Sequence, residues 1–420
     1  MLQRRVHRLA LMVLIFALGL SSVRSYAATT VDFWHFLAAG SELTALNEIV
    51  EQFQEEHPDI RIEMQYFPWG NPYYEKLITS VVGGSPPDVA MLHQTKIAEF
   101  VEAGVLAELT PAELRASGIR DEDYFPIPWQ ASQYQGKQYA LPFDIHPIGL
   151  YINPRLVGEA GLPSTVPTTG QELFEAAKRI NRDVSGDGVL DTIGFGIRRD
   201  GFTYYRLWYS IISQMGANLL NASQTRLSDD PRLAGALDLL IEARDTQALT
   251  IGVGAGDFLN QKAAFLVEGT WDSGGLARQG MEFDAAPLPA FGNTQAVWTD
   301  SHLVVLPRQL RTDEAQLAAS KEFAKWITHN NYLWAKLGGH VPPSRRTLQS
   351  MDFKTLKHQV EFAKMLHHVV YFPQVQGAWE IQNSIANNLG GAMQQEVAPT
   401  QAFERLGTEI AAVLSGVGKK

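Results

Sequence analysis

From residue 28 onward, apolar and polar positions set out strands and helices in alternation. Val31 to Phe36 is a short apolar strand. Leu43, Leu46, Ile49, Val50 and Phe53 then recur at helical spacing behind Ser41, a residue type that caps helices, and His57-Pro58 stops the run. Ile60, Ile62, Met64 and Tyr66 alternate with Arg61, Glu63 and Gln65, the period of a half-buried strand. A helix from Tyr73 to Val82 leads into Gly83-Gly84-Ser85-Pro86-Pro87-Asp88, a dense turn signal. Val89 to Leu92 is a third strand, and Lys96 to Ala103 a helix ended by Gly104. This alternation predicts an α/β fold on a parallel sheet.

Beyond Gly104 the pattern weakens. The chain has 420 residues, more than one hydrophobic core usually organises, so two lobes are expected. Thr110 to Gly136, rich in Pro, Asp and aromatics and without a strong period, reads as the first crossing between them. A strand at Ile148–Ile152 follows, and Thr169 with Glu172 makes a capping box for a helix running to Ile180. Helical runs are expected at Leu233–Ala243 and Gln261–Val267, then a strand from Trp298 to Pro307 and a helix from Asp313 to Thr328.

The N-terminus carries a different signal. Arg4, Arg5 and Arg8 precede an uncharged run from Leu9 to Leu20, and Ser25-Tyr26-Ala27 offers small residues for cleavage, the pattern of an export signal at residues 1–27. The run is too short for a membrane span, which needs about 20 apolar residues. There is no cysteine, so disulfides, Cys-ligated metals and a lipid-modified cysteine are all excluded. A periplasmic or secreted protein is expected. Removing Arg4, Arg5, Arg8 and Arg24 lowers the net charge from −10 to −14. A chain that acidic, without a basic stripe, argues against nucleic acid or anionic lipid as partner.

Several short segments share an order with a known family. They are Val31-Asp32-Phe33-Trp34; Pro86-Pro87-Asp88-Val89; Ala103-Gly104-Val105-Leu106 with Leu109-Thr110; Leu141-Pro142-Phe143-Asp144; and Leu150-Tyr151-Ile152-Asn153. Gly161-Leu162-Pro163, Pro167-Thr168-Thr169, Phe258 to Ala264 with Gly269-Thr270-Trp271, and Lys321-Glu322-Phe323 through Trp334 to Gly339 and Pro342 follow in turn. Together they resemble the family 1 extracellular solute-binding proteins of ABC importers, of the maltose-binding type. Ile152 between Tyr and Asn, and Thr169 in place of Trp, depart from the family pattern. The resemblance implies a two-lobed α/β fold with mostly parallel, mixed sheets and a ligand cleft that closes by hinge motion. By position, the first lobe takes residues 28–110 and 298–328, and the second 111–297 and 329–420. It implies a monomer that takes a sugar or oligosaccharide to ABC permease subunits, with no catalysis and no cofactor.

A sugar site needs aromatic platforms for C–H faces and paired donors and acceptors for hydroxyls. Trp34 and His35 end the first strand, and His93 and Gln94 the third, where open α/β sheets place ligands. Asp144 and His146 precede the Tyr151 strand. Trp271 and Trp379 fall where the family resemblance implies ring platforms, and Asp300 lies beside Trp298. Tyr204, Tyr205, Trp208 and Tyr209 form an aromatic cluster that reads first as core, with Tyr205 kept as its one ligand candidate, and Trp326 and Trp334 are given to the core.

Other chemistries leave weaker traces. Asp183, Ser185, Asp187 and Asp191 alternate around Gly186 and Gly188 like a calcium loop, but the closing Glu is replaced by Gly194. The eleven histidines are scattered, and adjacent His367 and His368 point to different helix faces, so no transition-metal site is expected. No nucleophile elbow, P-loop or H-E-x-x-H motif is present. A secreted glycosidase, needing only two carboxylates, is the rival enzyme reading. Within binding, the alternative ligand is a phosphorylated polyol or glycerophosphodiester, for which Arg345 and Arg346 are the candidate cations.

Overall fold

The computed structural model describes residues 28–37, 40–163, 166–311 and 313–416. The export signal read at residues 1–27 lies outside them. In chain order the strands are β1 (Thr29–His35), β2 (Ile60–Tyr66), β3 (Val89–His93), the small hairpin β4 (Gln133–Tyr134) and β5 (Lys137–Gln138), and β6 (Ala140–Pro142). Then come β7 (Ile148–Ile152), β8 (Ile193–Ile197), β9 (Thr250–Ile251), β10 (Ala263–Gly269), β11 (Asp284–Ala286), β12 (Val297–Trp298), β13 (His302–Val305) and β14 (Val369–Val370).

Two five-stranded mixed sheets organise the chain, in the orders β2-β1-β3-β13-β6 and β11-β7-β10-β8-β9. In the first, β13 runs antiparallel to both neighbours while β1 is parallel to β2 and β3. In the second, β7 is antiparallel to β10 and β11 while β8 is parallel to β9 and β10. Each sheet thus has one reversed strand, and that strand arrives from the other lobe. This is the expected α/β, two-lobed fold.

Each sheet carries its own core. Phe33, Phe53, Phe100, Phe323 and Trp334 are buried together around the first, and Tyr151, Phe195, Trp208, Leu240 and Ile385 around the second. The helices follow their apolar spacing: Leu46, Ile49, Val50 and Phe53 form the buried face of Gly40–Glu56. Thr169 caps Gly170–Ile180 by accepting from the Glu172 N–H, as its capping box predicted. Among the described residues, no helix is long and apolar enough to cross a membrane.

Three segments pass between the lobes. The first runs from β6 to β7 through Phe143–Pro147, the second from β12 to β13 through Thr299–Ser301, and the third from Trp334 in the first core to Val341 in the second. They are hydrogen-bonded to one another: Phe143 N donates to His302 O, His146 N to Asp300 O, and Ile145 and Val341 bond reciprocally at 2.8 and 3.2 Å.

The structure corrects three sequence expectations. Gln261–Val267 is not helical but leads into β10, in which every residue is buried; a central strand covered on both faces loses its period-two signature. Thr110–Gly136 is not a crossing, because Ile119 and Tyr124, between short helices at Pro111–Ala116 and Pro126–Ala131, and Trp129 of the second helix pack into the first core. For the same reason the first lobe extends past residue 110: β6 joins its sheet, and Trp334 its core, while Trp298 packs in the second.

Candidate functional site

The strand ends that face the crossings surround a cavity of about 450 Å³. Its first-lobe wall includes Glu42, Trp69, His93 and His302, and its second-lobe wall Phe202, Arg206, Trp271, Trp379 and Gln382. Trp298, Asp300, His146 and His340 come from the crossings and their edges.

The second-lobe wall is aromatic and centred on one cation. Asp200 caps the helix Gly201–Gln214 by accepting from Thr203 N at 2.8 Å, and this sets Phe202 and Arg206, four residues apart, on one face. The Arg206 guanidinium lies 4.8 Å from the Trp298 ring, 5.0 Å from Trp271 and 5.6 Å from Phe202, a cation held by three π faces. Among the described residues it makes no ion pair, and its buried Nε has no hydrogen-bond partner. Burial lowers its pKa from the usual arginine value, with Glu268 and Asp200 opposing. Trp271 follows β10 and folds its ring back over Gly269; a Cβ at Gly269 would meet that ring at 2.1 Å. The close approach requires glycine.

Tyr205 lies beneath, its hydroxyl accepting from Trp298 Nε1 at 3.1 Å. Trp379, in the first turn of the helix Ala378–Met393, stacks on Phe202 with ring centroids 5.5 Å apart. Asp300 accepts from Thr95 Oγ1 at 2.7 Å and from Ser301 N at 2.8 Å, and Gln382 Nε2 donates to Thr95 Oγ1 from the second lobe.

The floor of the cavity is a buried polar cluster. The Asp144 carboxylate lies 3.0 Å from His146 Nδ1 and 2.6 Å from His302 Nδ1, and accepts from His302 N and Trp334 Nε1 at 2.8 and 2.6 Å. His340 Nδ1 lies 3.5 Å from the same carboxylate, and His340 Nε2 2.7 Å from Glu42 Oε1. Burial pushes the Asp144 carboxyl up, but the imidazoles of His302, His340 and His146 override it and hold the group well below the usual carboxylate range. Burial likewise opposes charge on His302, yet Asp144 lifts its pKa above the ordinary histidine value. His146 and His93 are both lowered, in each case chiefly by burial.

This cleft between two mixed α/β lobes has counterparts among known proteins. Residues 39–331 match the family model described as bacterial extracellular solute-binding protein. The chain belongs to that family. A maltotriose-binding protein of Pyrococcus abyssi is 22% identical over 353 residues, covering 82% of this chain and 73% of its own. The solved structure of the sugar-binding protein MalE from Xanthomonas citri superposes with a TM-score of 0.78 at 22% identity, covering 92% of this chain and 98% of its own. UgpB from Mycobacterium tuberculosis, solved in complex with glycerophosphocholine, has the same score and coverage at 18% identity.

In this solute-binding protein the sequence candidates divide. His93, His146, Trp271, Asp300 and Trp379 line the cavity. Trp34, His35, Gln94, Asp144 and Tyr205 are buried behind it. Trp34 donates its indole N–H to Asp32 at 3.0 Å, and His35 Nδ1 accepts from Leu37 N, so both serve the end of β1. Asp144 and Tyr205 act through neighbours that do reach the cavity. Sequence reading missed Glu42, Trp69, Phe202, Arg206, His302, His340 and Gln382. Only Arg206 left a signal, as the one cation inside the Tyr204–Tyr209 aromatic run. Arg345 stacks on Phe125 at 4.7 Å, and neither it nor Arg346 lines the cavity.

The acidic loop and the histidines can also be placed. The Asp183–Asp191 loop turns its carboxylates onto its own backbone: Asp183 accepts from Gly186 and Gly188 N, Asp187 from Val189 N, and Asp191 from Val184 N. These are the bonds of a tight Asp- and Gly-rich turn. The histidines, by contrast, are not all scattered, since His146, His302 and His340 converge on Asp144.

Proposed function

We propose that this solute-binding protein captures a carbohydrate in the cavity between its lobes and presents it to membrane permease subunits of an ABC importer. The observation that carries the reading is the wall itself: Phe202, Trp271, Trp298 and Trp379 offer ring faces beside Arg206, Asp300 and Gln382. Ring faces match the C–H patches of a pyranose, and the polar groups match its hydroxyls. A volume near 450 Å³ falls in the small-molecule range of roughly 300–1,000 Å³. Sugar binding by relatives of this family agrees, as does the export signal read at the N-terminus, from which we infer a periplasmic or secreted location. The three bonded crossings supply a hinge for lobe closure.

Binding without catalysis is the reading for the cavity carboxylates. Asp300 is committed to Thr95 and Ser301, and Glu42 to His340. A thermal-shift screen of the mature chain against mono-, di- and oligosaccharides tests the proposal. Ligand at a hundredfold excess over Kd adds about 2.7 kcal/mol of stability. A shift with one sugar class, and no release of reducing ends on incubation, is the expected result; silence across the sugars overturns it.

One observation favours a second ligand class. Arg206 is a cation with no ion-pair partner among the described residues, which suits a phosphate or carboxylate on the solute. A shift confined to glycerophosphodiesters or sugar phosphates would select that reading, with Arg206→Gln abolishing it.

A further inference from the structure

We propose that Asp144, His146, His302 and His340 form a binding site for a divalent transition-metal ion of the zinc class, set in the hinge at the floor of the cleft. One ligand atom from each of the four lies within 4.8 Å of all the others, and all four residues are buried. A tetrahedral ion with bonds of about 2.0–2.1 Å holds its ligand atoms about 3.3 Å apart. The Nδ1 atoms of His302, His146 and His340 lie 2.6, 3.0 and 3.5 Å from Asp144 oxygens, so small adjustments would admit it.

Without an ion, protons on His146 and His302 Nδ1 tie the cluster to Asp144; an ion would displace both protons and take the lone pairs they cover, since metal binding releases protons. A carboxylate accepts at about four lone-pair sites. Two at Asp144 Oδ1 go to His146 Nδ1 and His302 N, and two at Oδ2 to His302 Nδ1 and Trp334 Nε1. His340 Nδ1 is the fifth, buried and without a hydrogen-bond partner among the described residues. Glu42 only accepts, so the proton on His340 Nε2 answers it, and Nδ1 is the atom turned toward Asp144. Carboxylate, imidazole and metal in series is the arrangement that orients histidine ligands in zinc sites.

The donor set and its surroundings agree with the ion's class. Three imidazoles and one carboxylate suit zinc, nickel, copper or cobalt, and not calcium or magnesium. Asp144 and Glu42 together match a double positive charge. The four ligands come from all three crossings: Asp144 and His146 from the first, His302 from the end of the second, His340 from the third. An ion here would pin the crossings together. Because His146, His302 and His340 also line the cavity, it would fix that wall for the solute.

The test uses the tag-free mature chain, stripped with a chelator and titrated with Co²⁺. Tetrahedral N/O coordination gives intense visible bands that saturate at one ion per chain and vanish when Zn²⁺ is added. His340→Gln should weaken binding at least about tenfold, since even outer-shell losses cost 10- to 100-fold. The melting temperature of its ion-free form should stay near that of the parent. His146→Gln is the second variant should the first not fold. Weak six-coordinate bands, no ion retained, or equal affinity in parent and variants would overturn the site.

Discussion

The indole of Trp379 meets that of Trp69 edge-on, with ring centroids 5.3 Å apart and planes at 88°. One ring stands on the last helix pair of the second lobe, the other on the loop after β2 in the first, so the contact bridges the cleft. Trp69 is half exposed, whereas Trp379 is backed by the Phe202 stack. An edge-to-face pair contributes about 0.5–1.5 kcal/mol beyond burial, and here it favours the closed arrangement. Trp69→Ala should therefore weaken solute binding by about 3- to 10-fold, chiefly through faster release, which stopped-flow fluorescence would separate from the on-rate. An unchanged off-rate would show the contact to be idle.

Trp271 should weigh more. Its ring faces the cavity, lies over Gly269 and carries the Arg206 guanidinium. Trp271→Ala removes a platform and frees the cation together, and should cost about 2 kcal/mol or more of binding, a loss of thirtyfold or greater. Calorimetric titration would measure it. Unchanged affinity with a large fall in melting temperature would assign Trp271 to the core.

Gly269 offers a test that touches no solute. Gly269→Ala places a methyl 2.1 Å from the Trp271 ring, which must swing into the cavity or lift β10. Overpacking of this kind costs about 1–3 kcal/mol. Melting temperature and solute affinity should fall together; a stable variant with full affinity would mean that the ring has room the structure does not give it.

Stability should also depend on His35. Burial pushes its pKa from 6.5 down to about 4. A depressed histidine takes up its proton more readily when unfolded, so its contribution is present above pH 6.5 and is lost as pH falls through about 4. The sum is on the order of 3 kcal/mol. Melting curves of the parent and His35→Asn across pH 7 to 4 should converge toward the acid end. Parallel curves would mean that His35 is hydrated in the fold.

Much of this architecture is legible in the residues. The amphipathic helix behind Ser41, the alternation at Ile60–Tyr66 and the Thr169 capping box each declare themselves through local chemistry. β10 does not, because a strand buried on both faces carries the same apolar run as a core helix. In the cleft, Trp271 and Trp379 are marked by position, whereas Arg206 stands out only as the one cation in an aromatic run that packs as core. The histidine cluster was invisible for a different reason. Its members stand at 146, 302 and 340, and only the return of the chain through three crossings brings them to one carboxylate.

The placement of β13 has a consequence for how the protein is made. It lies between β3 and β6, yet it begins at His302, long after β6 ends at Pro142. As the chain leaves the ribosome, the first sheet holds an unfilled slot while the whole second sheet is synthesised. β3 is paired with β1 on one edge only, and β6 has no partner in the sheet, until that late segment arrives. Such non-local pairing is slow. The first sheet therefore stays incomplete until residue 305 has been made, and its closure waits on one late four-residue strand.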